Sequence, residues 1–255
     1  MTRPTPNSAL KGIEQVRSYE LEEARHIQNA MVALEPLIAP GVEFATLFRP
    51  VLEVGGDFLD YFWLDEEHLG FYIGDVVGKG LPAAMYAALT VGTLRGINKG
   101  GEPPENVLAL LNSRLRMRLM PGRYAAVQYG AYVPAGRNLY FANAGLPRPV
   151  LISAGGCREV GEGGLPSGLF PQARYEPCTV TLHPGESVLF ATDGITEARN
   201  TTDEEFGLER LLESCFTYHA APAASILVNI AEELDRFTAG ARPHDDMTAA
   251  VLKVV

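Results

Sequence analysis

The chain has 255 residues, 47% of them hydrophobic and 20% charged, with a formal net charge of −10. That length supports one large domain or two small ones around an ordinary apolar core, and without a cluster of Lys and Arg a nucleic-acid footprint is excluded. The three cysteines, Cys157, Cys178 and Cys215, are widely spaced and odd in number, so neither a zinc site nor a disulfide framework is expected, and they read as reduced thiols of a cytoplasmic protein.

The opening "MTRPTPNSALKG" is polar and lacks the apolar core of a secretion signal. Residues 1 to about 17 read as a loose tail. A helix is expected from Ser18, in "SYELEEARHIQNAMVALEP", with Ser18 as N-cap and Glu20, Glu22 and Glu23 in its first turns. Leu21, Ala24, Ile27, Met31 and Leu34 recur at spacings of 3, 3, 4 and 3, which makes one apolar stripe. Pro36 and "APG" end it. Such a helix either packs on its own domain or serves as a dimerising or signal-relay element.

Beyond Gly41 the texture turns to strands. "VEFATLFRP", "FLDYFWL" and "LGFYIGD" are β-rich, and "LDEEH" joins the last two as an antiparallel hairpin. Helices are expected over 81–97, with Pro82 in the first turn, and over 104–119, with Val107, Leu108, Leu111, Leu115 and Leu119 on one side. The apolar run 81–94 is too short and too rich in small residues to span a bilayer. Strands return in "AAVQYGAYV", "NLYFANA", "PVLIS", "EPCTVTL" and "SVLFATD". Helices follow over 204–216 and 222–237, and "MTAAVLKVV" closes the chain as a strand. Many connections are too short for parallel crossovers. The expected class is α+β, with antiparallel sheets and helices packed on them. The economical division is an N-terminal tail and helix over 1–38 and a catalytic-size domain over 39–255.

The glycine-rich "GDVVGKG" invites a nucleotide-binding reading. A phosphate loop needs four residues between its glycines and a Ser or Thr after the lysine; here Gly74 and Gly78 enclose three residues, and Gly80 follows Lys79. The acids are more informative. Asp75 ends one apolar strand and Asp193 another, Asp57 opens a strand in "EVGGDF", and Asp245 and Asp246 directly precede the last. One such aspartate is an ordinary turn residue. Four strand ends each carrying one point to a shared site, where carboxylates repel unless a hard divalent cation joins them. Two such ions can activate water and clamp a phosphoryl group.

The motifs "EVGGDFLDYF" (53–62), "GDVVGKGLPAAM" (74–85), "NAGLPRP" (143–149), "LFATDGITEARN" (189–200), "FG" followed by "ERL" (206–211) and "DDMT" (245–248) occur in one order. Together they resemble the SpoIIE/RsbU-type branch of the PPM, or metal-dependent, serine/threonine protein phosphatases, over roughly 41–255. "LEEARHIQNAM" is similar to the linker helix that precedes the domain in this branch. The resemblance implies an α-β-β-α sandwich of two antiparallel sheets flanked by helices. It also implies two Mn²⁺ or Mg²⁺ ions, and direct attack of metal-bound water on phosphoserine or phosphothreonine without a phosphoenzyme. Carried over by position, Asp75 would touch both ions and Val76 would lend its carbonyl. Asp57, Asp193 and Asp245 would complete the set, with Asp246 as second choice beside Asp245. The implied substrate is a phosphorylated anti-anti-sigma (STAS-type) protein in a partner-switching pathway, with a homodimer possible through the N-terminal helix and no nucleic-acid or membrane partner.

The chain departs from the wider family in places. The phosphate-gripping Arg expected shortly before the first acid is absent, with Arg49 nearest; Val77 stands where a general-acid His is found; and Leu146 follows "NAG" where His is common. Lys79 reads as a phosphate-steering group or a solvated turn residue, Arg148 and His244 as bystanders, and Trp63 as core. Two alternatives to a protein phosphatase are a phosphatase-like scaffold or sensor with little catalysis, and a small-molecule phosphohydrolase.

Overall fold

A computed structural model of the chain describes residues 6–97, 101–117 and 120–255. Helix α1 covers Pro6–Asn29 and so begins well before Ser18; the segment read as a tail is rich enough in helix formers to extend it. Its docking face also differs from the expected stripe. Ile27 is 63% exposed and Leu34 46%, while Leu21 and Ala24 are half-buried and the buried position is Gln28. Strand β1, Leu37–Ala39, pairs with β2, Val42–Arg49, with Ala39 opposite Val42. The "APG" that reads as a helix stop is thus a hairpin turn, and β1 straddles residue 38.

The hairpin β3 (Phe58–Trp63) and β4 (Leu69–Val76) forms as expected, with Phe58 opposite Gly74. Helices α2 (Leu81–Ile97) and α3 (Pro104–Arg116) follow. Val107, Leu108, Leu111 and Leu115 are buried on α3, and Leu119 lies outside the described residues. Strands β5 (Ala125–Val133), β6 (Asn138–Ala144) and β7 (Val150–Ser153) are joined by an unexpected short strand β8, Gly156–Glu159, that forms a hairpin with β7. Next come β9 (Cys178–Thr181) and β10 (Ser187–Ala191), then the single-turn helix α4 (Asp193–Thr196). Helices α5 (Gly207–Thr217) and α6 (Ala223–Thr238) and strand β11 (Met247–Val254) complete the chain.

All pairings are antiparallel. One sheet runs β1-β2-β11-β10-β7-β8 and the other β3-β4-β5-β6-β9. Strand alternation sorts their side chains. Val188 and Phe190 of β10, with Ala250, Leu252 and Val254 of β11, meet Phe44, Phe71, Ile73 and Phe141 between the sheets. Phe71 and Phe190 ring centres lie 4.7 Å apart. The opposite parity, Leu189, Ala191, Ala249 and Val251, packs under α5 and α6, while Tyr72, Val127 and Tyr129 pack under α2 and α3. The result is the expected α-β-β-α sandwich. Trp63 is not core: at the outer end of β3 it is 46% exposed. Among the described residues no helix is long and apolar enough to cross a membrane.

Candidate metal centre

Antiparallel pairing brings the acid-bearing ends to one edge. The start of β3 lies beside the end of β4, the end of β10 beside the start of β11, and β11 contacts β4 across the sandwich. Asp57, Asp75, Asp193, Asp245 and Asp246 are thereby neighbours that feel one another's charge.

Their settings differ. Asp57 is 1% exposed and accepts from Thr192 Oγ1 at 2.9 Å. Burial first, then the charge of Asp75, pushes its carboxyl well above the ordinary range. Asp75 is raised to about 7, again by burial first and then by Asp193; a hydrogen bond with Asp57 acts in the opposite sense. Burial and then Asp245 raise Asp193. Burial and mutual repulsion thus oppose ionisation of all three carboxyls. Lys79, on the turn after β4, brings an ammonium to them: its Nζ lies 3.1 Å from Asp245 Oδ2.

Asp246 is occupied differently. Its Oδ1 accepts from Val51 N–H at 2.7 Å, and its Oδ2 from Gly56 N–H at 2.8 Å and Asp57 N–H at 3.4 Å. It fastens the loop that leads into β3. Gly56 keeps a space open: a Cβ there would lie 2.6 Å from the Val76 carbonyl oxygen and 3.2 Å from Asp75 Oδ1. Two oxygen donors therefore face one spot that only glycine leaves clear. The buried Thr248 hydroxyl has no well-formed hydrogen bond and stands near enough to Asp57 to ease its ionisation. Among the described residues no three acid, histidine or cysteine side chains stand as a ready-made ion cage. The donor chemistry, carboxylates with a backbone carbonyl, nevertheless fits a hard divalent cation, and crowding supplies the reason to bind one.

Other residues singled out from the sequence are engaged elsewhere. Arg49 Nη1 pairs with Asp235 of α6 at 2.8 Å, and Arg148 with Glu159 at 2.9 Å. Leu146 joins the core between the sheets, its backbone clasped by the Asn143 side chain. Arg123 Nη1 donates to the Val77 carbonyl at 2.7 Å, and so holds the turn whose glycines, Gly78 and Gly80, have φ of 97° and 67°. Sequence reading missed Thr192, Thr248 and Glu197. The last follows α4 and is raised by burial, then by Asp193. Thr192 directly precedes Asp193 and Thr248 follows Asp246 by two residues, a closeness to the acids that could have flagged them.

Comparison with known proteins gives a consistent picture. The family model described as Stage II sporulation protein E (SpoIIE) matches residues 65–255. Protein IcfG of Synechocystis sp. is 29% identical over 264 residues, covering 91% of this chain and 41% of that protein. Phosphoserine phosphatase RsbU of Bacillus subtilis is 24% identical over 251 residues, covering 97% of this chain and 73% of that protein. The chain thus spans about two fifths of IcfG and about three quarters of RsbU. Among solved structures, the SiaA-PP2C domain of Pseudomonas aeruginosa superposes with a TM-score of 0.83 at 19% identity over 95% of this chain and 99% of that one. RsbX in complex with magnesium superposes with a TM-score of 0.64 at 17% identity, over 88% and 100%. At those identities the structures establish a shared fold.

Proposed function

The chain belongs to the SpoIIE family, in the RsbU-type branch of the PPM phosphatases, and from that premise we propose that it is a protein serine/threonine phosphatase working through two divalent cations, Mn²⁺ or Mg²⁺. The observation that carries the reading is the convergence of buried, mutually repelling carboxyl groups at one sandwich edge. Support also comes from the name of RsbU, a phosphoserine phosphatase, and from the magnesium in the RsbX structure.

In this reading Asp75 would serve both ions and the Val76 carbonyl, which faces the same space over Gly56, one of them, and Asp57, Asp193 and Asp245 would complete the set. Asp246 is assigned to the loop N–H groups it already holds. When bound, the ions would supply an activated water and positive charge for the phosphoryl oxygens. The chain's own part is to orient. Thr192 fixes one oxygen of Asp57, and Lys79, 40% exposed, is free to move from Asp245 to an incoming phosphate once cations neutralise that carboxylate.

The proposed substrate is a phosphoserine protein of the STAS, anti-anti-sigma type within a partner-switching pathway, by analogy with RsbU. Segment 1–38 is proposed as a regulatory element and 39–255 as the catalytic domain. Val16, Tyr19 and Ile27 of α1, all more than half exposed, form the apolar face through which two copies would pair. Release of phosphate from a phosphoserine STAS protein in Mn²⁺ tests the activity. Asp193→Ala is expected to lower turnover at least a hundredfold, beyond the roughly 10–100-fold typical of outer-sphere partners of a metal. Equal turnover by wild type and variant would sink the assignment.

A further inference from the structure

Along the described part of α1, the only buried side chain is a polar one. Gln28 is 4% exposed, while the residues around it on the helix are half-buried or exposed. A buried primary amide needs partners for its donors and acceptor. Gln28 finds them in one peptide unit: its Nε2 donates to the Gly55 carbonyl at 2.8 Å, and Gly55 N–H donates to its Oε1 at 3.0 Å. The side chain therefore pairs with Gly55 much as a neighbouring strand would.

Gly55 belongs to the loop that delivers Asp57. From the opposite side that loop is held by Asp246, which binds the Gly56 and Asp57 amides. A Cβ at Gly55 would lie 2.0 Å from Asp246 Oδ2. Gly55 is thus clasped between the Gln28 side chain of α1 and the Asp246 side chain just ahead of β11, two residues from the buried Asp57. A second tie fixes the same end of the helix. Arg95 Nη2 of α2 donates to the Met31 carbonyl at 3.3 Å and to Asp60 Oδ2 of β3 at 2.8 Å.

We propose that Gln28 is a positioning residue that couples the N-terminal helix to the metal centre. The paired bonds to Gly55 form at one rotation and one translation of α1. When the helix sits there, the 55–57 backbone is clamped and Asp57 is presented in place. When α1 turns or slides, Gly55 is released, and the centre loses a preorganised ligand. This gives the helix a hydrogen-bonded path to Asp57 through the 55–57 backbone, and it rests on reading the acids as metal ligands.

The test uses the full chain and Mn²⁺ titration by calorimetry, with hydrogen exchange as a readout independent of turnover. Gln28→Met keeps the side-chain volume and removes both bonds. It is expected to weaken Mn²⁺ binding about tenfold and to speed exchange of the Gly55 and Gly56 amides, while Glu23→Ala, at an exposed position of the same helix, changes neither. Because coupling between sites is reciprocal, saturating Mn²⁺ should also slow exchange over residues 24–32 of the unmodified chain, a measurement that needs no variant. Absence of Mn²⁺ binding by the unmodified chain would remove the metal reading and the coupling with it. Normal binding that is indifferent to Gln28→Met, with exchange over 24–32 unmoved by Mn²⁺, overturns the coupling alone.

Discussion

Asp75 is buried among acids whose charges oppose its own. Burial and the neighbouring Asp193 charge lift it from 3.8 to about 7, and Asp57 and Asp193 are raised as well. A carboxyl raised in the folded state supports folding below its unfolded value and loses that contribution as pH climbs through the folded value. The chelated protein is therefore expected to melt at lower temperature as pH goes from about 4 to about 8. The fall is on the order of 10 °C, from roughly 1.4 kcal/mol per pH unit and about 2–4 °C per kcal/mol at this size. Mn²⁺ should flatten the profile by replacing the protons, so its stabilising effect grows with pH. Melting curves across pH, with chelator and with Mn²⁺, check this; a chelated profile that is flat or rises with pH would contradict the proposed crowding. The identity of these acids was legible because each stands at the end of an apolar run. The division of labour between Asp245 and Asp246 was not: adjacent residues point to opposite sides of a strand start, and only the fold shows which one meets the loop amides.

At the scale of elements, the strands were legible because alternating and fully apolar runs such as "SVLFA" have one stable destination, a sheet buried on both faces. Phe190 sits where that burial is deepest, between Phe71 and Phe141. Phe190→Ala is expected to cost about 3–5 kcal/mol in urea unfolding; a loss under 1 kcal/mol would contradict its central place. Short elements escaped notice. β8 reads "GCRE" and has no strand signal of its own, existing because β7 offers it a partner. Helix α1 was misread in a more instructive way. Apolar periodicity placed Ile27 on the docked face, yet the residue buried there is Gln28, whose burial is satisfied by a peptide 27 positions away. No count of hydrophobic residues registers such a bond.

For the whole molecule, two sheets closing over one aromatic layer bring distant segments together. Val32, Leu37 and Ala39 pack against that layer, so the last residues of segment 1–38 are built into the sandwich core. A truncation that removes residues 1–26 keeps Gln28 and this core while discarding Val16 and Tyr19. If the outer face of α1 joins two copies, light scattering should show the full chain as a dimer and the truncated one as a monomer with the sandwich intact. An unchanged mass would count against that interface.

The sequence alone determined that this chain is an antiparallel α+β protein with acids at strand ends, because side-chain period and strand termini are local properties. Its spaced motifs also pointed to the SpoIIE/RsbU-type family. Only the tertiary structure decided which acids face one another, that Arg49 serves α6 and Asp246 the loop, and that the N-terminal helix holds the Gly55 peptide through Gln28. Those facts depend on which strand ends the sandwich brings to one edge, and hydrogen bonds between residues far apart in the chain leave no periodic trace in it.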